Sequence, residues 1–252
     1  MPNPLWTHDR KAAKGLMGVV GVDEAGRGCL AGPVVAGATL LPIGFFGKAA
    51  NRRRCAEVND SKQLAAEKRE KLFAVLETMR AAGELWFATG EGSVDEIEKE
   101  NIVGATCLAM RRAMNALAEE CDGIWNPQKK DESDSLFTPR SPASERWLVL
   151  VDGRPMKRLP YAHQGMIKGD TLSLAVAMAS IAAKVTRDRL MIELDASFPA
   201  YDFASNKGYG SPNHLKGLEE HGPTEVHRPR FLQKILPESN QVKPEQSLLN
   251  FS

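Results

Sequence analysis

Long hydrophobic runs are missing from this sequence. No stretch approaches the ~18 apolar residues that a membrane span requires, and the opening MPNPLWTHDRKAAKG lacks the apolar segment of a secretory signal, so a cytoplasmic chain without membrane contact is expected. Cysteine is sparse. Cys29, Cys55, Cys107 and Cys121 show neither CxxC spacing nor paired His partners, which argues against a zinc site or a disulfide framework and predicts reduced, packed thiols. Excess charge of one sign is lacking as well: 33 basic and 32 acidic residues leave a formal charge of +1, so any groove for a polyanion has to be local. Internal repeats are absent.

What is present is the composition of an ordinary globular protein, 42% hydrophobic and 26% charged over 252 residues, enough for one large domain or two small ones. Residues 16–22 and 33–41 are apolar and β-branched, with GRGCLAG between them, and read as two strands joined by a tight loop. Leu72, Phe73, Leu76 and Met79 recur at three- and four-residue spacing and predict a helix over about 65–80. A third strand at 85–89 and a long helical stretch at 94–119 follow. The polar run at 126–145 has no apolar period and reads as an insertion. Residues 147–151 predict a strand buried on both faces and ending at Asp152, and the Ala- and Leu-rich stretch 171–195 predicts the strongest helix. Strands mixed with helices on one core predict an α/β or α+β domain, with a small helical extension over 196–236 and a polar, disordered tail over 237–252.

The acids carry the chemistry. Asp23 and Glu24 end the first predicted strand, directly before Gly26, Gly28 and Gly32, and Asp152 ends another apolar strand, so three carboxylates can converge. Asp170 begins the long predicted helix, where it is placed to cap that helix and to face the same cleft. Four carboxylates in one cleft repel unless cations neutralise them, and oxygen-only ligation selects Mg²⁺ or Mn²⁺. Neighbouring residues on a regular strand point to opposite faces, so Asp23 and Glu24 can both ligate only if the strand ends or bulges there. Read alone, each acid serves equally well as a turn residue or a cap.

The string GVDEAGRGCLAGPVVAGA resembles the opening motif of the bacterial ribonuclease HII family. NDSKQL (59–64), LVDG (150–153), KGD (168–170), ASIAAKVTRD (179–188) and NKGYGSPNH (206–214) follow in the family's order. The resemblance implies an RNase H-like α/β fold: a mixed central sheet flanked by helices in a catalytic domain over 1–195, with the extension over 196–236 completing the substrate cleft. It implies hydrolysis 5′ to a ribonucleotide, in an RNA/DNA hybrid or in duplex DNA with embedded ribonucleotides, by a monomer that uses two metal ions. Asp23, Glu24, Asp152 and Asp170 would hold Mg²⁺ or Mn²⁺. Gly26, Arg27 and Gly28 would read the 2′-hydroxyl and the adjacent phosphate, and Tyr209 would stack on the next deoxyribose.

Further contacts are read partly from position. Ser61 and Lys62 precede a predicted helix, where free N–H groups and a cation hold a phosphate. Ser173, Ser180, Lys184 and Arg187 fall near one helix face and offer another phosphate contact, although Arg187 reads better as ordinary solvated charge. Asp188 lies eighteen residues beyond Asp170, about 27 Å along a continuous helix, and reads as an ion-pair partner. His214 reads as a packed or hydrogen-bonding histidine. The terminal QSLLNF resembles a sliding-clamp-binding peptide with Gln246, Leu249 and Phe251 as anchors. Competing readings are a ribonuclease HIII-like hybrid nuclease, another nuclease of the same fold, and an inactive duplex-binding protein.

Overall fold

A computed structural model describes residues 3–129, 146–233 and 235. The predicted insertion from residue 130 onward and the predicted tail lie outside these residues. The chain divides into two compact units, one comprising the residues up to Arg27 together with Pro33–Arg189, the other Gly28–Gly32 and the residues from Leu190 on.

The first unit is built on a five-stranded mixed sheet. Strands β1 (Gly18–Ala25), β2 (Val34–Pro42), β3 (Trp86–Gly92), β4 (Trp147–Asp152) and β5 (Gln164–Met166) lie in the order β3-β2-β1-β4-β5. β1, β2 and β3 pair antiparallel, whereas β4 runs parallel to β1 and to β5. The predicted tight loop between β1 and β2 is in fact eight residues, 26–33. The expectation that β4 is buried on both faces holds only for Leu150 and Val151, because β5 pairs with 150–152 alone and leaves 147–149 half-buried.

Glycines set how closely the helices approach this sheet. A Cβ at Gly21 or Gly37 would lie 2.2 Å from the backbone of α5 (Leu174–Ser197), so that helix lies directly on β1 and β2. A Cβ at Gly90 would lie 2.5 Å from the backbone of α4 (Val94–Glu120). Gly90 pairs with Ala36, the neighbour of Gly37, and adjacent strand residues face opposite ways, so α4 and α5 cover opposite faces. Within α4, Asn101 has a positive φ of 58° and interrupts the helix; its side chain then caps the second segment by accepting from Val103 N at 2.9 Å.

Between β2 and β3 come a short helix, α2 (Ala49–Arg54), and the predicted helix, α3 (Ala66–Ala81), whose buried residues are Leu72, Phe73, Leu76 and Met79. A helix that the sequence pattern did not reveal, α1 (Pro4–Ala12), buries Trp6 against Phe45 and Phe46, with ring centroids 5.2 Å apart in each case. All four cysteines are buried free thiols. Residues 126–129, read as the start of the insertion, are tied down: Ala162 N donates to Gln128 O at 2.8 Å and Lys129 bridges to Tyr161. Among the described residues no helix is long and apolar enough to cross a membrane.

Among its described residues the second unit contains three short helices, α6 (Phe203–Asn206), α7 (Pro212–His221) and α8 (Pro229–Leu232), with Leu30, Tyr201, Phe203, Leu218 and Leu232 in its core. Buried Arg228 donates through Nε to Gly32 O at 2.8 Å and fixes that stretch of the loop. His214 and His227 are both buried, their Nε2 atoms 3.1 Å apart.

Candidate active site

The carboxylates gather at the carboxyl ends of β1 and β4. Asp23 pairs with Gly37 and so faces α5, while Asp152 follows Val151, the partner of Val22, and falls level with Asp23 on the adjacent parallel strand. The break or bulge expected at Asp23-Glu24 does not occur: β1 continues in regular register with β2 to Ala25↔Val35. What ends instead is the parallel neighbour, whose pairing stops at Val22↔Val151. Beyond that point no strand walls Glu24 off from the other acids, and the charges of Glu24, Asp23 and Asp152 act on one another.

Asp170 arrives from a different element. It is buried in a single 3-10 turn, Gly169–Thr171, that precedes α5, so it does not cap the helix as expected. The cap comes from Ser173, whose Oγ accepts from Val176 N at 3.3 Å, and from Asp9, which accepts from Ala175 N at 2.9 Å. Released from capping, Asp170 lies with Oδ2 3.7 Å from Lys62 Nζ. Asp152 Oδ1 accepts from Gly169 N at 2.6 Å, which joins the end of β4 to the turn carrying Asp170.

Electrostatics mark these groups as crowded. Burial, followed by the charge of Glu24, holds the Asp23 carboxyl well above the usual carboxylate range. Its Oδ1 accepts from Glu24 N at 2.7 Å, but its buried Oδ2 has no hydrogen-bond partner among the described residues. Burial raises Glu24 against the downward pull of Arg27, whose Nη1 donates to Glu24 Oε1 at 2.9 Å. Asp170 is raised by burial and then by the charges of Asp60 and Asp152. Lys62 is raised even though burial opposes it, because Asp23, Asp170, Asp60 and Asp152 surround it.

Asp60 is a member of this group that the sequence reading passed over. It lies inside NDSKQL, but an acid between Asn and Ser reads simply as a turn residue. It caps the turn Ser61–Gln63, accepting from Lys62 N at 2.9 Å, so the N–H expected to be free at Lys62 is already occupied. Ser61 is buried too, its hydroxyl 2.8 Å from that of Ser180, and the Ser180 hydroxyl acts on the Asp23 carboxyl to pull its pKa down. Both hydroxyls are buried and paired with each other instead of facing outward as a phosphate contact.

Other expectations divide. Arg187 is not solvated: it is fully buried, its Nε donates to Pro33 O at 2.9 Å, and a Cβ at Gly26 would sit 2.0 Å from that nitrogen. Gly26, with φ +91°, leaves the space the guanidinium needs, which no local sequence pattern reveals. Ser173, also expected on a phosphate face, is fully buried and donates to Asp9 at 3.0 Å. Lys184 pairs with Asp188 at 2.7 Å, and Asp188 also lies 3.5 Å from Arg69. In the second unit, Tyr209 is half exposed while its carbonyl accepts from His214 Nδ1 at 2.8 Å. A separate cavity of about 560 Å³, lined by Trp125, Arg146, Trp147 and His163 among others, has no carboxylate among its described lining residues.

Comparison with known proteins bears on the family and the fold. The family model described as Ribonuclease HII matches residues 20–131 and 146–234. A Ribonuclease HII from Syntrophotalea carbinolica is 38% identical over 229 residues, covering 91% of this chain and 92% of the relative. The crystal structure of ribonuclease H2 from Pyrococcus horikoshii is 25% identical with a TM-score of 0.59, covering 86% of this chain and 95% of that one. The PCNA:RNase HII complex from Archaeoglobus fulgidus shares the fold, at 20% identity and a TM-score of 0.59, over 90% of this chain and 98% of that one. With the family model covering most of its length and such relatives alongside, this chain belongs to the ribonuclease HII family.

Proposed function

We propose that this endoribonuclease cleaves on the 5′ side of a ribonucleotide, in an RNA/DNA hybrid or in duplex DNA with embedded ribonucleotides, with Asp23, Glu24, Asp152 and Asp170 holding a pair of divalent ions. The observation that carries the reading is the unpartnered, buried Oδ2 of Asp23 among acids that raise one another's pKa. Buried unpaired polar atoms are rare, and a cation is the partner that would relieve both the missing bond and the repulsion. Among the described residues no three acidic, His or Cys side chains already form a cage for an ion. Mg²⁺ commonly takes only one or two carboxylates and completes its shell with water and substrate oxygens.

Bound divalent ions supply Lewis-acid stabilisation of the phosphate and lower the pKa of the attacking water. The protein's own part is placement. Asp152 is fixed by Gly169 N and Asp23 by Glu24 N, so the acids are held before substrate arrives. Lys62, kept protonated by the surrounding acids, contributes positive charge for a phosphate oxygen. Gly28, where an added Cβ would meet nothing within 4 Å, leaves the loop backbone open to close approach by a sugar 2′-hydroxyl. Tyr209 offers an exposed ring for sugar stacking. Outside the described residues, Gln246, Leu249 and Phe251 would anchor the tail to a sliding clamp. The Archaeoglobus complex with PCNA lends support, and deletion of 246–252 is expected to abolish clamp capture in a pull-down.

The test is cleavage of a labelled duplex carrying one ribonucleotide, beside an all-DNA control and a continuous hybrid, with Mg²⁺, Mn²⁺ or EDTA. Metal-dependent incision 5′ to the ribonucleotide is expected, and Asp23→Asn is expected to abolish it while sparing the fold. Cleavage of the hybrid alone would favour a ribonuclease HIII-like preference, and binding without incision an inactive recognition protein. Full activity in folded Asp23→Asn would overturn the site.

A further inference from the structure

Asp9 lies on α1, outside the residues matched by the family model. It is nonetheless fully buried. A buried carboxylate is costly unless its hydrogen-bonding capacity is used, and Asp9 uses both of its oxygens. Oδ2 accepts from Ser173 Oγ at 3.0 Å and from Ala175 N at 2.9 Å, and Oδ1 lies 2.8 Å from His8 Nδ1. An anion from another element thus occupies the N-terminus of α5, where the helix dipole and its unsatisfied amides favour negative charge.

The consequence runs toward the site through hydrogen bonds. Ser173, held by Asp9, donates its own N–H to Gly169 O at 2.8 Å, and Gly169 N donates to Asp152 Oδ1 at 2.6 Å. Asp170 lies inside the turn these bonds close. Asp9 is therefore tied, through two main-chain groups of one glycine, to the turn that presents one catalytic acid and orients another. Ordinary capping does not require an acid from a distant helix, because Ser173 already bonds Val176 N.

We propose that Asp9 is a positioning residue for the reaction: it locks the turn over residues 169–173 against the start of α5 and so fixes Asp170 relative to Asp152. This rests on the assignment of Asp152 and Asp170 as working acids. Misplacing a reacting group by about 1 Å can lower turnover on the order of a hundredfold, so loosening this turn acts on kcat while leaving duplex binding in place.

The experiment compares Asp9→Asn and Asp9→Ala in the full chain with His8→Ala, which keeps the carboxylate at α5, and with Asp152→Asn and Asp170→Asn. Steady-state cleavage is measured well below each unfolding midpoint. Amide exchange of the peptide spanning 167–176 and Mn²⁺ binding by calorimetry provide readouts independent of turnover. Expected for Asp9→Asn are a kcat lower by roughly tenfold or more, an unchanged KM for duplex, weakened Mn²⁺ binding and faster exchange at 169–173, with His8→Ala near wild type in all four. Asp9→Ala is expected to show the larger effect where it folds, and Asp9→Asn decides the matter where it does not. A folded Asp9→Asn with only a lowered melting temperature, and with wild-type kcat, Mn²⁺ binding and exchange, overturns the proposal. If Asp152→Asn and Asp170→Asn also cleave normally, the failure belongs to the site assignment.

Discussion

At the scale of single residues, Asp23 shows how a site is held at a cost to the fold. Its carboxyl is raised by burial first and then by the charges of Glu24 and Asp152, with Ser180 pulling the other way. A folded-state pKa above the unfolded value near 3.8 means that the fold binds this proton more tightly than the unfolded chain does. The metal-free protein therefore gains stability from this group as pH falls through the raised pKa, and is penalised at neutral pH where the group is charged. Asp23→Asn removes the charge and gives the position of Oδ2 a neutral amide. In EDTA at pH 7 the variant is expected to be more stable than wild type. Added Mg²⁺ should stabilise wild type and leave the variant unchanged. Thermal unfolding with and without Mg²⁺ checks both halves, and a variant that melts lower in EDTA or gains equally from Mg²⁺ contradicts them. Asp23, Glu24 and Asp152 were legible, because their positions at strand ends before glycines are local features. Arg187 was not: its burial depends on the missing side chain of Gly26, over 160 positions away in the chain, and a lone Arg on a helix carries no mark of that.

At the scale of elements, close approach of helix to sheet delivers Ser180 to Asp23. Gly37 allows this, since a Cβ there would lie 2.2 Å from Ala179 O, one residue before Ser180. Gly37→Ala is expected to lift α5 from β2, at about 1–3 kcal/mol of stability or more, and to lower kcat through displacement of Ser180. Gly28→Ala is the contrast. Nothing surrounds its added methyl in the free protein, so stability should hold while KM for a ribonucleotide-containing duplex rises. Urea unfolding with steady-state kinetics separates the two, and equal loss of stability in both variants would sink the distinction. Periodicity made β1, β2, α3 and α5 legible, since each is long enough to show an apolar run or stripe. It failed for α1 and α2, which are short and rich in charge, and whose helical state depends on tertiary packing such as Trp6 between Phe45 and Phe46. The 3-10 turn before α5 was invisible for a related reason: an acid ahead of an Ala-rich stretch looks the same whether it caps the helix or stands one turn before it.

At the scale of the molecule, the two compact units carry different sensitivities to acid. The second unit encloses His214 and His227 with Tyr201 and Phe203, and the two imidazoles face each other at 3.1 Å. Burial, followed by the charge His214 would carry, depresses His227 to about 4, and burial likewise lowers His214. For a histidine whose folded pKa lies below the unfolded value near 6.5, stability is fully present above 6.5 and is lost as pH falls toward the folded pKa, because only the unfolded chain takes up the proton. Between pH 6.5 and 4 the loss from His227 alone is on the order of 3 kcal/mol. The four tryptophans, at 6, 86, 125 and 147, all belong to the first unit, so tryptophan fluorescence does not report on this change directly. Amide exchange of peptides over 203–221 does. Protection there is expected to fall steadily from pH 7 to pH 4.5, once corrected for the intrinsic pH dependence of exchange, and His227→Gln is expected to flatten that slope by removing the titrating group. An equal slope in wild type and variant would show that the buried pair does not govern acid stability of this unit. If tryptophan fluorescence shifts at the same pH as protection falls, the two units unfold as one; if it stays native, the second unit opens alone.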